Sequence, residues 1–301
     1  MSTHTPQRDL LDPDTVNRAS ALGLFARKVV EGYKVGEHRS PLKGFAIEFA
    51  QHREYAPGDD VRHMDWKILG RTDRLFIKQY EQDTNYIAHV LMDCSGSMNF
   101  ASEKLSKFHF SKVITACLAH VILHQRDAIS VGFIGNDAPT LLPRTDTPNK
   151  MPWLMESLAK AEAGGRSNIG EDLLKLAPAI KRRSIIIIIS DLLQDEDALF
   201  AALPRFRYQE SEVILFHVLD HAELELPYSD KVRFEGLEGE EALTTQPEDF
   251  AAAYRKEVAD YCVKMRRSCE SHDAHYVLID TSKPLSEALG EYLSFRRRVH
   301  R

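Results

Sequence analysis

From Tyr86 onward, short runs that are apolar at nearly every position alternate with longer stretches that are apolar every third or fourth residue. The runs are YIAHVLM at 86–92, AISVGFI at 128–134, SIIIIIS at 184–190, EVILFHVL at 212–219 and HYVLID at 275–280. A run apolar on both faces predicts a strand covered on both sides. The intervening stretches predict helices over about 102–125, 149–161, 168–181, 195–206, 247–271 and 284–295. A further short strand over 139–143 fits an antiparallel edge. Strands alternating with helices of this length predict an α/β domain over 86–301, with a doubly wound, mostly parallel sheet.

Before Tyr86 the pattern changes. Residues 1–14 form a polar, flexible lead-in. Asp14 or Thr15 can cap a helix running to about Gly32, with Val16, Ala19, Leu22, Phe25, Ala26 and Val29 on one face. Residues 36–84 mix short apolar pieces with dense polar motifs. Pro57-Gly58-Asp59-Asp60 signals a turn and LFIKQY at 75–80 a strand. Residues 15–85 are therefore expected to be a helix plus a small N-terminal subdomain packed on the main domain.

Composition adds limits. Apolar content of 43% with 28% charged residues suits a globular protein with a sizeable core. The isoleucine run is far too short to span a bilayer, and the N-terminus has no apolar export signal. Four cysteines, at 94, 117, 262 and 269, form no C-x-x-C pair, as expected of reduced thiols in a cytoplasmic protein. A net charge of −6 argues against a general nucleic-acid binder. Charge is also uneven. Fifteen acidic residues lie between Asp195 and Asp249 against Arg205, Arg207, Lys231 and Arg233, and the chain ends in the basic RRRVHR. Both a solvated acidic face and a docking surface for a basic partner fit this distribution.

The densest chemistry follows the first parallel strand. Asp93-Cys94-Ser95-Gly96-Ser97 delivers a carboxylate and two hydroxyls at the carboxyl end of that strand, where open α/β sheets place ligands. Gly164-Gly165-Arg166-Ser167-Asn168 and Ser190-Asp191 reach the same edge. Asp93, Ser95, Ser97, Ser167 and Asp191 are hard oxygen donors suited to Mg²⁺ (or Mn²⁺), and too few to fill an octahedron. The plainer reading of each loop is a turn that caps the next helix.

These loops resemble the metal-ion-dependent adhesion site of a von Willebrand factor A domain. The resemblance implies direct ligation by Ser95 and Ser97, ligation by Asp93 and Asp191 directly or through water, and Ser167 at a position usually held by threonine. Arg166 would add a positive charge beside it. GEHRSPLKGFAIEFAQHREYAPGDDVRHMDWKILGRTDRLFIKQYE is similar to the segment preceding the A-like domain in a bacterial family catalogued as domain of unknown function fifty-eight. Members of that family often accompany MoxR-type AAA+ ATPases, which implies a part in assembling or activating another protein complex. Many members have membrane helices, and none is foreseen in this chain, so contact with a membrane would be peripheral, through a partner.

Other candidates are weaker. His52, Arg53, Tyr55, Asp59, Asp60, Arg62, Asp65 and Trp66 form a polar cluster without an identifiable nucleophile–base set, and fit a scaffold of ion pairs. His120 and His124 have zinc-motif spacing, but Val121 stands where the catalytic Glu would be. Gly164-Gly165 lacks the remainder of a phosphate loop, and Ser95 replaces the second carboxylate of a phosphoryl-accepting D-x-D. Cys94 is expected to fill core. The expected function is a non-enzymatic protein-interaction module whose divalent cation accepts a partner carboxylate. The alternative is a metal-dependent hydrolase or phosphotransferase using the same oxygens.

Overall fold

The computed structural model describes Leu22, Gly23 and Ala26, and residues 49–299 apart from 56–63, 73, 81–85, 104, 137, 166–167, 194–195 and 238–241. The expected lead-in, most of the 15–32 helix and the turn at 57–60 lie outside the described residues. Contacts divide the chain into two compact units, Ser40–Asn85 and Met1–Arg39 with Tyr86–Arg301.

In the smaller unit, β1 (Phe49–Glu54) pairs antiparallel with β2 (Phe76–Tyr80), with α1 (Trp66–Thr72) between them in the chain. β2 matches the expected 75–80 strand. β1 escapes the apolar pattern because FAQHRE has only Phe49 and Ala50 to show; pairing with β2 stabilises it instead. Asp65 is buried and accepts a hydrogen bond from the Ile68 amide at 3.3 Å, which starts α1.

The larger unit is built on a six-stranded sheet. In chain order its elements are β3 (Ile87–Asp93), α2 (Lys107–His124), β4 (Ala128–Ile134), β5 (Thr140–Leu141), α3 (Met151–Lys160) and α4 (Ile169–Leu176). Then follow β6 (Ile185–Ser190), α5 (Glu196–Tyr208), β7 (Glu212–Leu219), α6 (His221–Glu225), the hairpin β8 (Val232–Phe234) and β9 (Leu243–Thr245), α7 (Ala251–Ser271), β10 (Ala274–Asp280) and α8 (Leu285–Val299). The sheet order is β10-β7-β6-β3-β4-β5, parallel except for the edge strand β5. The chain leaves β3 toward β4 and later returns to β6 on the other side, so β3 and β6 flank the topological switch point. The doubly wound, mostly parallel sheet predicted from the apolar runs is present.

Helices cover both faces. On one, α2 is buried along nearly its whole length, beneath α3 and α8. The described residues of the N-terminal helix join this layer: Leu22 and Ala26 are buried, and the Cys117 thiol donates to the Ala26 carbonyl at 3.7 Å. These described residues belong to the same unit as the sheet. On the other face, Leu173 of α4, Leu203 and Phe206 of α5 and Met265 of α7 pack on Leu91, Ile188 and Leu215 of the sheet.

Two boundaries differ from expectation. α2 starts at Lys107 because Ser106 caps it, its hydroxyl accepting from the His109 amide at 3.2 Å; Gly96–Asn99 is a separate 3-10 turn. The acidic stretch after β7 holds α6 and the β8–β9 hairpin. An Asp220–Glu223 capping box starts α6, a local signal that the apolar pattern overlooks.

Gly170 permits the α4–α5 contact. A methyl group there would lie 2.4 Å from the Ala198 carbonyl. Gly170→Ala is expected to destabilise the protein by about 1–3 kcal/mol, read by urea unfolding.

His89 lies in central β3, and neither ring nitrogen has a hydrogen-bond partner among the described residues. Burial pushes its pKa down to about 4. The folded chain therefore refuses a proton that the unfolded chain accepts below its usual 6.5, so stability is lost as pH falls from 6.5 toward 4. The loss amounts to about 3 kcal/mol. Unfolding curves of wild type and His89→Leu between pH 7 and pH 4 should show the variant gaining relative stability across that window.

Candidate functional site

Parallel register places the ends of β3 and β6 side by side, with Met92 opposite Ile189. Asp93 follows Met92 directly and Asp191 follows Ile189 after Ser190, both fully buried. Asp93 is held on both oxygens: Oδ1 accepts from the Ser95 amide at 2.8 Å, and Oδ2 from the Ser190 hydroxyl at 2.6 Å. The Ser95 and Ser97 hydroxyls lie 3.1 Å apart. Burial, joined by the negative charge of Asp191, pushes the Asp93 pKa up to about 7 against the opposing bonds from Ser190 and Ser95.

Backbone bonds lock the surrounding loops. The Cys94 amide donates to Ile134 O at 2.7 Å, the Gly164 amide to Cys94 O at 2.8 Å and the Gly96 amide to Gly165 O at 3.0 Å. Gly165 has φ of 83°, a conformation that glycine adopts without strain. The Asn99 side chain donates to Ala163 O at 2.9 Å. The second expected loop thus lies against the first. Ser167 and Arg166 themselves lie outside the described residues. Cys94 is buried, as expected of a core filler, and burial pushes its thiol up to about 12.

The third loop turns sharply. Leu192, directly after Asp191, has φ of 55°, an uncommon and strained conformation for leucine. The Ser190 hydroxyl accepts from its amide at 3.0 Å, and the Tyr261 hydroxyl donates to its carbonyl at 2.7 Å. His217 Nε2 bonds to the Asp191 carbonyl at 2.8 Å and its Nδ1 to the Tyr276 hydroxyl at 2.6 Å. Burial pushes the His217 pKa down to about 4, so the ring is neutral and the Tyr276 hydroxyl donates to Nδ1.

Lys107 is not among the site residues expected from the sequence. Its ammonium donates to Asp191 Oδ2 at 2.7 Å and to Glu223 Oε1 at 2.6 Å, and the lysine side chain is fully buried. Burial opposes its charge, but attraction to Asp191 and Glu223 prevails and its pKa is raised. The other Glu223 oxygen accepts from the Asp220 amide at 2.8 Å. One signal was available: a lysine in the first turn of an apolar helix opposes the helix dipole and needs nearby anions.

Beside the Lys107–Glu223 pair opens a mostly apolar cleft of about 390 Å³, lined by Leu193, Leu219, Tyr254, Val258 and Tyr261 with Glu223 and Glu257 at its walls. Leu193 is exposed. The acidic stretch proves partly neutralised, with Glu196 paired to Lys264, Glu210 to Arg182 and Arg183, and Glu223 to Lys107.

Among the described residues, the remaining candidates form no second centre. The His124 Nδ1 donates to the His120 carbonyl at 2.8 Å, a local helix bond. In the 52–66 cluster Asp65 caps α1 and Trp66 is exposed, while Asp59, Asp60 and Arg62 lie outside the described residues.

A protein-family model described as Protein of unknown function DUF58 matches residues 51–264, more than half of the chain. An uncharacterized protein of Mycobacterium tuberculosis (strain H37Rv) is 26% identical over 262 residues, covering 83% of this chain and 82% of its own. The uncharacterized protein YeaD of Bacillus subtilis is 24% identical over 150 residues, 48% of this chain and 35% of that one. Among solved structures, the conserved hypothetical protein BatB from Bacteroides thetaiotaomicron aligns with a TM-score of 0.44 and 16% identity, over 71% of this chain and 99% of that one. The SpRpn10 VWA domain aligns with a TM-score of 0.40 and 16% identity, over 69% of this chain and 95% of that one.

Ser190 links the two carboxylate loops, donating to Asp93 and accepting from Leu192. Ser190→Ala leaves two buried groups short of a partner, and is expected to cost about 1–3 kcal/mol by urea unfolding.

Proposed function

We propose that this chain, which belongs to the family described as Protein of unknown function DUF58, is a non-enzymatic, cytoplasmic protein-interaction module that grips a partner at the carboxyl edge of its sheet. The observation that carries the reading is the meeting of Asp93, Ser95, Ser97 and Asp191 at the β3–β6 switch point.

The donor set fits a small hard cation. Every candidate ligand is a carboxylate or hydroxyl oxygen, and the 3.1 Å between the Ser95 and Ser97 hydroxyls is close to the spacing of neighbouring ligands around Mg²⁺. Ser95 and Ser97 would hold Mg²⁺ (or Mn²⁺), with Asp93 and Asp191 as direct or water-mediated ligands and Ser167 completing the protein's share. Such a cation offers a strong local charge and an open position for a partner carboxylate. Ser190 and the Ser95 amide orient Asp93, while Tyr261 and His217 hold the Asp191 loop. Leu193 and the neighbouring cleft would supply apolar contact area. The partner we favour is a MoxR-type AAA+ ATPase, acting with this chain on another protein complex. That choice rests on the family resemblance.

Thermal unfolding across a Mg²⁺ or Mn²⁺ titration tests the metal. Binding to the folded state alone adds about 1.4 kcal/mol at ten times the dissociation constant, a rise of a few degrees for a chain of this size. Wild type should show that rise and Asp93→Ala should not. No cation dependence in wild type would remove the metal from the mechanism. Pull-down of the ATPase with and without chelator tests the partner. Phosphoester turnover lost in Asp93→Ala would instead favour the hydrolase reading.

A further inference from the structure

The Lys107 ammonium occupies ground that a metal reading alone would leave to a metal. It lies 2.7 Å from Asp191 Oδ2, while Asp191 Oδ1 accepts the Leu193 amide at 3.2 Å. Asp191 is therefore already paired with a cation of the protein's own, which it shares with Glu223. That cation is not a surface lysine free to swing away. Its side chain has no solvent exposure, it starts a buried helix behind the Ser106 cap, and its amide donates to Phe100 O at 3.0 Å. Its second carboxylate, Glu223, is fixed by the Asp220 amide, and Asp220 in turn binds the Ser102 amide at 3.1 Å. Both flanks of the ammonium are thus tied to the framework.

We propose that Lys107 is a resident counter-cation of the site, which lowers the affinity of the isolated chain for a divalent metal by competing for Asp191. The inference rests on the reading of Asp93, Ser95, Ser97 and Asp191 as a cation site, and adds a residue that sets how strongly the site draws the ion. An incoming divalent cation meets a fixed positive charge in a water-poor setting, where Coulomb repulsion is weakly screened. It also finds one of its two carboxylates engaged. Replacing the ammonium by a neutral side chain of similar length removes both obstacles.

Mn²⁺ titration followed by electron paramagnetic resonance, on the full chain, tests this. Wild type is compared with Lys107→Met and with Lys107→Met/Glu223→Gln. The double variant removes one charge of each sign and spares the fold an unpaired buried Glu223, so it serves where the single variant does not fold. Each is also made with Asp93→Asn, to assign the bound Mn²⁺ to this site. The expected result is binding about tenfold tighter or more in both Lys107 variants than in wild type, a change of the size that one nearby charge produces at a partly buried site, and abolished by Asp93→Asn. Wild type that binds Mn²⁺ with variants no tighter overturns the role of Lys107 and leaves the cation site standing. No Mn²⁺ binding in any of the chains overturns both.

Discussion

Parallel pairing of β3 with β6 is the constraint on which the rest of the larger unit depends. The register runs from Ala88 opposite Ile185 to Met92 opposite Ile189, so both strands end level at the same edge. Helical connections then diverge to opposite faces. The isoleucines that drive this pairing are wholly buried. The core that stabilises the sheet is therefore also what brings two carboxylates together out of water.

Two like charges in such a place need compensation, and the protein supplies it in layers. Ser190 and the Ser95 amide satisfy Asp93, and Lys107 answers Asp191. Lys107 in turn requires Glu223, which is positioned by the capping box that starts α6. An element that looks like a minor helix after β7 is thus part of the electrostatics of a loop after β6. Removing any one of these partners would leave a buried charge unpaired, the costly case for an ion network.

Much of this was legible in the chain. Continuous apolar runs located the five parallel strands, because burial on both faces leaves little room for polar positions. D-x-S-x-S and Ser190-Asp191 could be read as one site because parallel strands share an edge. What escaped was information carried by pairing or by caps. FAQHRE became β1 through its partner strand, and HAELE became a helix through Asp220 and Glu223. Lys107 and Glu223 are separated by 116 positions, and no local pattern joins them. The role given to Ser167 rests on family resemblance, since that residue lies outside the described part of the loop.

The backbone bonds among Cys94, Ile134, Gly96, Gly164 and Gly165 have a consequence for timing. Loops that are stitched to one another before anything binds have little conformational entropy left to lose. Encounter at this edge is then not delayed by folding of the loops around a visitor. Differences in grip between one visitor and another would be expressed in how long each stays rather than in how fast it arrives.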